Sequence, residues 1–205
     1  MDGFEHRGNF SETGRAILAA AIPLFAEKGF AAVTVREIAE SVGIRTATLY
    51  YHFPSKDGMY IAAIAQTFAD KAEGITSALA EPGTPDEKLR RLIFRFTERM
   101  AGDRYFRLLL QRELLDGDEK RLRLLAETVF REQFSSIAGL AADVSPGCDA
   151  HLLAISMAGL VLYHLETAPI RRFLPGGRPE HDDPAVIAQH VTRLLLQGIG
   201  GCGSA

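Results

Sequence analysis

The sequence predicts an all-α protein built in two parts. Apolar residues recur with helical periodicity along most of the 205 residues, and no stretch alternates over the length of a strand. Hydrophobic residues make up 47% of the chain and charged residues 24%, a composition typical of a globular protein with a packed core. The clearest break is the turn AEPGTPDEK at 80–88, which contains Pro and Gly and leads into an acidic helix start.

The first predicted helix covers Ser11–Lys28. Ser11 is a favourable N-cap, and Gly29 is a typical stop after the last apolar residues. Pro23 lies inside this pattern. We expect it to kink the helix or to remove one hydrogen bond, because proline has no backbone N–H.

Two short helices separated by a glycine follow. Thr34 opens the second helix in a capping box with Glu37, and Gly43 ends it. The third helix, RTATLYYHF at 45–53, stops before Pro54, because proline disfavours helical geometry in the residue before it. Two helices joined by such a turn are typical of the helix-turn-helix motif, whose second helix enters the major groove of DNA.

The remaining helices are mostly longer and bring the predicted total to about nine. The fourth runs from its cap at Ser55 to about Leu79, and the others cover roughly 85–101, 103–115, 119–142, 148–167 and 184–198. The segment PGGRPEHDDP at 175–184 is a polar loop. We therefore predict a helix-turn-helix DNA-binding domain at 1–56 and a second helical domain at 57–205.

The third helix carries hydroxyl, aromatic and basic side chains on its outer face. Hydroxyl and guanidinium donors near a helix start can read base edges, and tyrosine and histidine tips suit phosphates. The starts of the second and fourth helices add N–H groups that attract phosphate. The predicted DNA-binding residues are Thr34, Arg45, Thr46, Thr48, Tyr50, Tyr51, His52 and Lys56.

Charge supports a local DNA-binding patch and no global attraction. The formal net charge is −3, yet the segment from Ser41 to Lys56 has two bases and no acid. Three of the contacts have structural alternatives. Tyr50 also suits packing against the first helix, His52 suits a solvent-exposed or capping position, and Thr48 can bond its own backbone.

Several features argue against a secreted, zinc-binding or membrane-spanning protein. Cys148 and Cys202 lie far apart, without the spacing of metal ligands. Residues 1–10 lack the apolar stretch of a signal peptide, and the longest apolar run, Leu152–Leu165, is too short to cross a bilayer. We expect a cytoplasmic protein with no membrane association, no metal and no cofactor.

The second part carries no catalytic pattern, since its histidines are scattered and none is spaced with a nucleophile. Arg104, Arg107 and Arg112 could attract an anionic ligand, although such a run more often forms a solvated face with acidic partners. Apolar residues at helical spacing fill a core or line a ligand cavity. The candidates for a cavity are Phe94, Met100, Tyr105, Phe106, Leu109, Phe130, Phe134, Met157, Leu160 and Tyr163.

From about Ser11 to Ile61 the chain resembles the DNA-binding domain of the tetracycline-repressor (TetR) family of transcriptional regulators. In that family, the predicted DNA-binding residues occupy the usual DNA-contacting positions. Arg45 departs from the pattern, because the family often has a small capping residue there, and Gly58 replaces a helix former. The residues that carry the resemblance are Phe25, Gly29, Phe30, Thr34, Ile38, Ala39, Gly43, Leu49, Tyr50, Phe53 and Lys56.

The resemblance implies that the second domain holds a small-molecule pocket and a dimer interface. The last two helices are apolar around more of their circumference than a lone surface helix, which favours a homodimer through about 148–198. A two-fold dimer implies a palindromic operator. The function implied is a repressor released by a small-molecule effector. The alternative is a DNA-binding regulator controlled by a partner protein, and the missing acid–base set argues against an enzyme.

Overall fold

The computed structural model describes residues 10–198, and all regular secondary structure in this range is helical. The α-helices are α1 (Glu12–Lys28), α2 (Val35–Val42), α3 (Thr46–His52), α4 (Lys56–Ala80), α5 (Pro85–Gly102), α6 (Arg104–Asp116), α7 (Glu119–Leu125), α8 (Arg131–Val144), α9 (Ala150–Glu166), α10 (Ala168–Arg171) and α11 (Pro184–Gln197). The prediction of an all-α fold is confirmed.

The helices differ from the prediction in two places. The segment predicted as one helix at 119–142 is divided into α7, a π-helical turn (Ala126–Phe130) and α8. The loop before α11 contains the short helix α10 and a 3₁₀ turn (Pro179–Asp182). Helix α1 continues through Pro23 to Lys28, as predicted.

The described residues form two compact units. Unit 1 comprises residues 10–69 and 105–129, and unit 2 comprises residues 70–104 and 130–198. Helix α4 therefore contributes residues to both units. The predicted domains, a DNA-binding domain at 1–56 and a second helical domain at 57–205, were defined by function, and that division stays a prediction.

Unit 1 carries the helix-turn-helix. Helix α2 packs against both α1 and α3. Phe25 of α1 and Tyr60 of α4 are buried and meet edge to face, with ring centroids 5.0 Å apart. Ile38 of α2 and Leu49 of α3 are also buried. This core supports α3 from behind.

Unit 2 is a helical bundle in which α5 packs against α8, α9 and α11. Leu89 and Ile93 of α5 and Val161 of α9 are buried. The opposite face of α9 is apolar and exposed, with Leu152 and Ile155 among its large side chains. This exposed apolar face is unusual, because a surface helix normally turns its polar side chains to the water and buries its apolar ones.

No helix within residues 10–198 combines the length and the apolar character that a membrane span requires. Cys148 is an exposed free thiol. Cys202 and residues 1–9 lie outside the described residues.

Candidate DNA-binding surface

Backbone hydrogen bonds fix the turn between α2 and α3. The Gly43 N–H donates to the Glu40 oxygen at 3.1 Å, and the Ile44 N–H donates to the Ala39 oxygen at 3.0 Å. This pair of bonds is a Schellman motif. Gly43 has φ +73°, a left-handed conformation that glycine adopts without strain, so the sequence selects this turn.

The start of α2 is held by a cap and an ion pair. The Thr34 hydroxyl accepts a hydrogen bond from the Glu37 N–H at 3.1 Å. The Glu37 carboxylate pairs with Lys28 at the end of α1. Its bond to Lys28 is the main cause that lowers the pKa of Glu37. The pair joins the start of α2 to the end of α1.

Helix α3 buries little of its own surface. Leu49, which is 1% exposed, is its only buried residue, and Phe53 anchors the helix end. Tyr51 is 85% exposed, and Thr48 and Tyr50 are exposed as well. A seven-residue helix with one buried side chain presents most of its surface for contact with another molecule.

The two ends of α3 differ in how they are held. Arg45 occupies the N-cap position, and its exposed side chain makes no capping hydrogen bond. At the other end, His52 Nδ1 lies 3.3 Å from the Ser11 hydroxyl. Ser11 also caps α1, since its oxygen accepts from the Gly14 N–H at 3.1 Å. His52 therefore joins the end of α3 to the start of α1.

Lys56 is the first residue of α4 and is half-buried. Its ammonium nitrogen lies 4.4 Å from the centroid of the Phe30 ring. The helix start is capped by Ser55, whose hydroxyl accepts from the Gly58 N–H at 3.0 Å. Gly58, which replaces the helix former usual in the family, is half-buried and is the donor to this cap.

All eight predicted DNA-binding residues belong to unit 1, and none is buried. Five of them are exposed: Thr34, Arg45, Thr48, Tyr50 and Tyr51. Three are half-buried: Thr46, His52 and Lys56. Their contacts with DNA stay a prediction.

The contacts by which residues of α6 and α7 support the DNA-binding surface were not predicted from the sequence. Arg112 donates to backbone oxygen atoms of Ala26 at 2.8 Å and Glu27 at 2.6 Å. Its guanidinium is therefore engaged with the end of α1, which argues against the suggested role in attracting an anionic ligand. Glu113 is fully buried and pairs with Arg121 at 3.1 Å. Burial raises the pKa of the Glu113 carboxyl, and Arg121 opposes that shift.

The ten predicted cavity residues are divided between the units. Tyr105, Phe106 and Leu109 belong to unit 1, where Phe106 stacks on Phe68 with centroids 5.5 Å apart. The others belong to unit 2, and their exposure varies widely. Met100 and Met157 are buried, Phe130, Phe134 and Leu160 are half-buried, and Phe94 and Tyr163 are exposed. The assignment of these residues to an effector site stays a prediction.

Unit 2 has an open groove of about 490 Å³ between α5 and α11. Phe94 is the member of the predicted set that lines it, together with Arg90, Ala188, Thr192 and Leu196 among others. A second cavity of about 220 Å³ lies among the last helices.

The second cavity brings together histidines that are scattered in the sequence. His164, His181 and His190 all line it, and the rings of His164 and His190 are 5.4 Å apart. Burial, then His190, then Arg171 lower the pKa of His164. Among residues 10–198, no three His, Cys, Asp or Glu side chains are grouped to hold a metal ion.

Comparison with known proteins identifies the relatives of this chain. A family model described as "Bacterial regulatory proteins, tetR family" matches residues 17–63. The HTH-type transcriptional repressor KstR2 of Rhodococcus jostii is 29% identical over 188 residues, which cover 89% of each chain. The HTH-type transcriptional activator FasR of Mycolicibacterium smegmatis is 26% identical over 190 residues, covering 90% of this chain and 84% of FasR.

A solved structure extends the similarity in fold to nearly the whole chain. The transcriptional regulator FadR from Bacillus subtilis, in complex with stearoyl-CoA, is 21% identical. It superposes with a TM-score of 0.75 and covers 90% of this chain and 98% of FadR.

Proposed function

Since this chain belongs to the tetR family of bacterial regulatory proteins and is a DNA-binding transcriptional regulator, we propose that it acts as a homodimeric repressor. A small-molecule effector releases it from a palindromic operator. The observation that carries the proposal is the surface of α3, where Leu49 alone is buried and Thr48, Tyr50 and Tyr51 are exposed.

In this proposal α3 enters the major groove with its first residues nearest the bases. Arg45, Thr46 and Thr48 read base edges, because they stand at or near the helix start and offer side-chain donors. Tyr50, Tyr51 and His52 contact phosphates along the groove. Thr34 and Lys56, at the starts of α2 and α4, contact phosphates on either side.

The proposed dimer forms through α9 and α11. The exposed apolar face of α9 supports this, since association would remove Leu152, Ile155 and Tyr163 from water. Two copies related by a two-fold axis present two α3 helices, so the operator is expected to be palindromic.

The proposed effector acts by binding one conformation of the dimer more tightly than the other. Coupling between effector and DNA of about 1–3 kcal/mol is typical of such regulators. Helix α4 is a suitable route for the coupling, because it starts at Lys56 beside the DNA-binding residues and contributes to both units.

Three measurements test the proposal. Selection of bound duplexes from random DNA should recover a palindrome, and sedimentation at micromolar concentration should give the mass of a dimer. A thermal-shift screen of metabolites, with stearoyl-CoA included because FadR holds it, should find a ligand that raises the unfolding temperature by mass action. That ligand should release the selected duplex.

Two results would change the assignment. Binding to the palindrome without any effector in the screen would favour the alternative, a regulator controlled by a partner protein. A monomeric mass together with an asymmetric selected site would contradict the dimer and the palindrome. The sign of regulation is read from transcription in vitro, where a repressor lowers and an activator such as FasR raises transcript from a promoter that carries the site.

A further inference from the structure

Two cations lie over the ring of Phe30 in unit 1. The Lys56 ammonium nitrogen is 4.4 Å from the ring centroid, and the Arg121 guanidinium carbon is 4.3 Å from it. Both distances are within the range of a cation–π interaction. Phe30 follows Gly29 in the loop between α1 and α2, whereas Arg121 lies in α7. The Phe30 ring therefore contacts both a cation of α7 and the first residue of α4.

Arg121 is held by three acidic side chains, of which Glu113 is buried and Asp116 and Asp118 are exposed. Its Nε donates to both carboxylate oxygens of Glu113 at 3.1 Å, and Asp116 and Asp118 lie within 3.6 Å of its terminal nitrogens. Glu113 is 0% exposed and Arg121 only 8% exposed. A buried charge that is hydrogen-bonded to a buried carboxylate has little freedom to move, because breaking the pair would leave both charges desolvated without compensation. The guanidinium is thus a rigid support for the Phe30 ring.

Lys56 is held differently. Within residues 10–198 its ammonium forms no hydrogen bond or ion pair, so the ring is its main partner. Burial lowers the pKa of Lys56, and the neighbouring charge of Arg121 adds to that effect while Asp57 opposes it. A lysine held by a ring but without an acidic partner is free to bind a phosphate. It also loses less side-chain entropy on binding than a freely rotating lysine.

We propose that Phe30 and Arg121 are positioning residues for DNA binding, which hold the Lys56 ammonium where it contacts a phosphate. Arg121 fixes the ring, and the ring fixes the lysine. This inference rests on the proposed phosphate contact of Lys56. It adds that residues of α6 and α7, far from the helix-turn-helix in the sequence, set the strength of that contact.

The test is a double-mutant cycle on DNA affinity. Fluorescence anisotropy with a 30-base-pair duplex of arbitrary sequence suits it, because phosphate contacts do not depend on sequence. Lys56→Ala should weaken binding and reduce the salt dependence by about 0.9 in slope for each lost contact. Phe30→Leu should weaken binding about two- to fivefold, the range expected for losing an exposed cation–π interaction.

The decisive measurement is the effect of Phe30→Leu on DNA affinity in the Lys56→Ala protein. If Phe30 acts through Lys56, Phe30→Leu should cause no further loss when the lysine is absent. The paired variant E113Q/R121Q removes the support without leaving a buried charge, and it should behave like Phe30→Leu in both backgrounds. Arg123→Gln is the matched control, since this exposed arginine of α7 forms an i,i+4 pair with Glu119 and should bind like wild type.

Each outcome bears on one claim. Equal losses from Phe30→Leu with and without Lys56, or wild-type affinity and salt slope in Phe30→Leu, would overturn the inference. A wild-type protein that binds no duplex, or a Lys56→Ala variant that binds normally, would instead refute the proposed DNA contact. Circular dichroism melts of every variant confirm that folded proteins are being compared.

Discussion

Arg112 of α6 donates through Nε to the backbone oxygen of Ala26, 2.8 Å away in the last turn of α1. The last carbonyl groups of a helix have no partner within it, and they carry partial negative charge. Gly29, which follows α1, has φ +83°, and a Cβ there would lie 3.2 Å from an Arg112 terminal nitrogen. The end of α1 is thus shaped to receive this guanidinium.

Replacing Arg112 by methionine should therefore destabilise the protein. Methionine keeps an apolar stem of similar length but removes the guanidinium and both donors, and hydrogen bonds from charged groups contribute about 1.5–3 kcal/mol each. We expect a loss of about 2–3 kcal/mol in the free energy of unfolding, measured by urea titration. Arg123→Met removes only an exposed i,i+4 pair and should cost less than about 0.5 kcal/mol. Equal costs for the two variants would contradict the capping role.

Neighbouring residues of α3 should respond to truncation in opposite ways. Leu49 is buried, so Leu49→Ala should cost about 2–5 kcal/mol of stability through lost contacts and a cavity. Tyr51 is mostly exposed, so Tyr51→Ala should change stability by less than about 0.5 kcal/mol. Only the second variant should lose DNA affinity while remaining fully folded.

Urea titration and anisotropy on the selected operator measure the two quantities separately. Ser41→Ala serves as a control, because this exposed residue of α2 precedes the turn and is outside the predicted set. A Tyr51→Ala protein that binds DNA like wild type would remove Tyr51 from the proposed contacts. Loss of binding in the Ser41 control would show that the assay reports general damage to the domain.

The helix-turn-helix could be predicted because its signals are local. Ser11, Thr34 and Gly43 act within a few residues of themselves, and the structure has the caps of Ser11 and Thr34 and the turn at Gly43. Of the capping box predicted for Thr34 and Glu37, only the Thr34 half forms, because the Glu37 carboxylate pairs with Lys28. The surface character of α3 follows equally from the spacing of Leu49 and Phe53. Nothing beyond the segment itself is needed for these conclusions.

The supports of that surface could not be predicted, because they join distant parts of the chain. Arg112 reaches a carbonyl group that lies 86 positions earlier, and no periodicity encodes that pairing. The same holds for Arg121 over Phe30 and for the pairing of His164 with His190. The π-helical turn after Leu125 was missed for another reason, since its sequence AETVF fits an ordinary helix.

His164 should make stability depend on pH. Its pKa is lowered below 6.5 in the folded protein, chiefly by burial and then by His190 and Arg171. As pH falls through 6.5, the unfolded chain takes up a proton at this residue before the folded chain does. Its contribution to stability is therefore present above that pH and is lost below it. Histidine ring NMR should give a titration midpoint below that of a free histidine.

Replacing His164 by glutamine should flatten this dependence. Urea titrations of His164→Gln at pH 7.5 and 5.5 should show a smaller difference in the free energy of unfolding than wild type shows. His190→Gln should raise the NMR midpoint of His164, because one of the charges that lowers it is removed. His151→Gln, at an exposed position of the same helix, should leave the NMR midpoint of His164 unchanged. An unaltered pH dependence in His164→Gln would refute the assignment.

A charge on the exposed face of α9 should separate the proposed dimer. Ile155 is 53% exposed and lies in the middle of this face, so the Ile155→Glu chain should still fold as a monomer. In a dimer it would bury carboxylates without partners, which is costly. We expect the dissociation constant of the dimer to rise at least about a hundredfold, a loss of about 2.7 kcal/mol in the free energy of association. Sedimentation equilibrium measures this constant. Ser135→Glu puts the same charge on an exposed position of α8 and should remain dimeric. A dimer of unchanged affinity in Ile155→Glu would place the interface elsewhere.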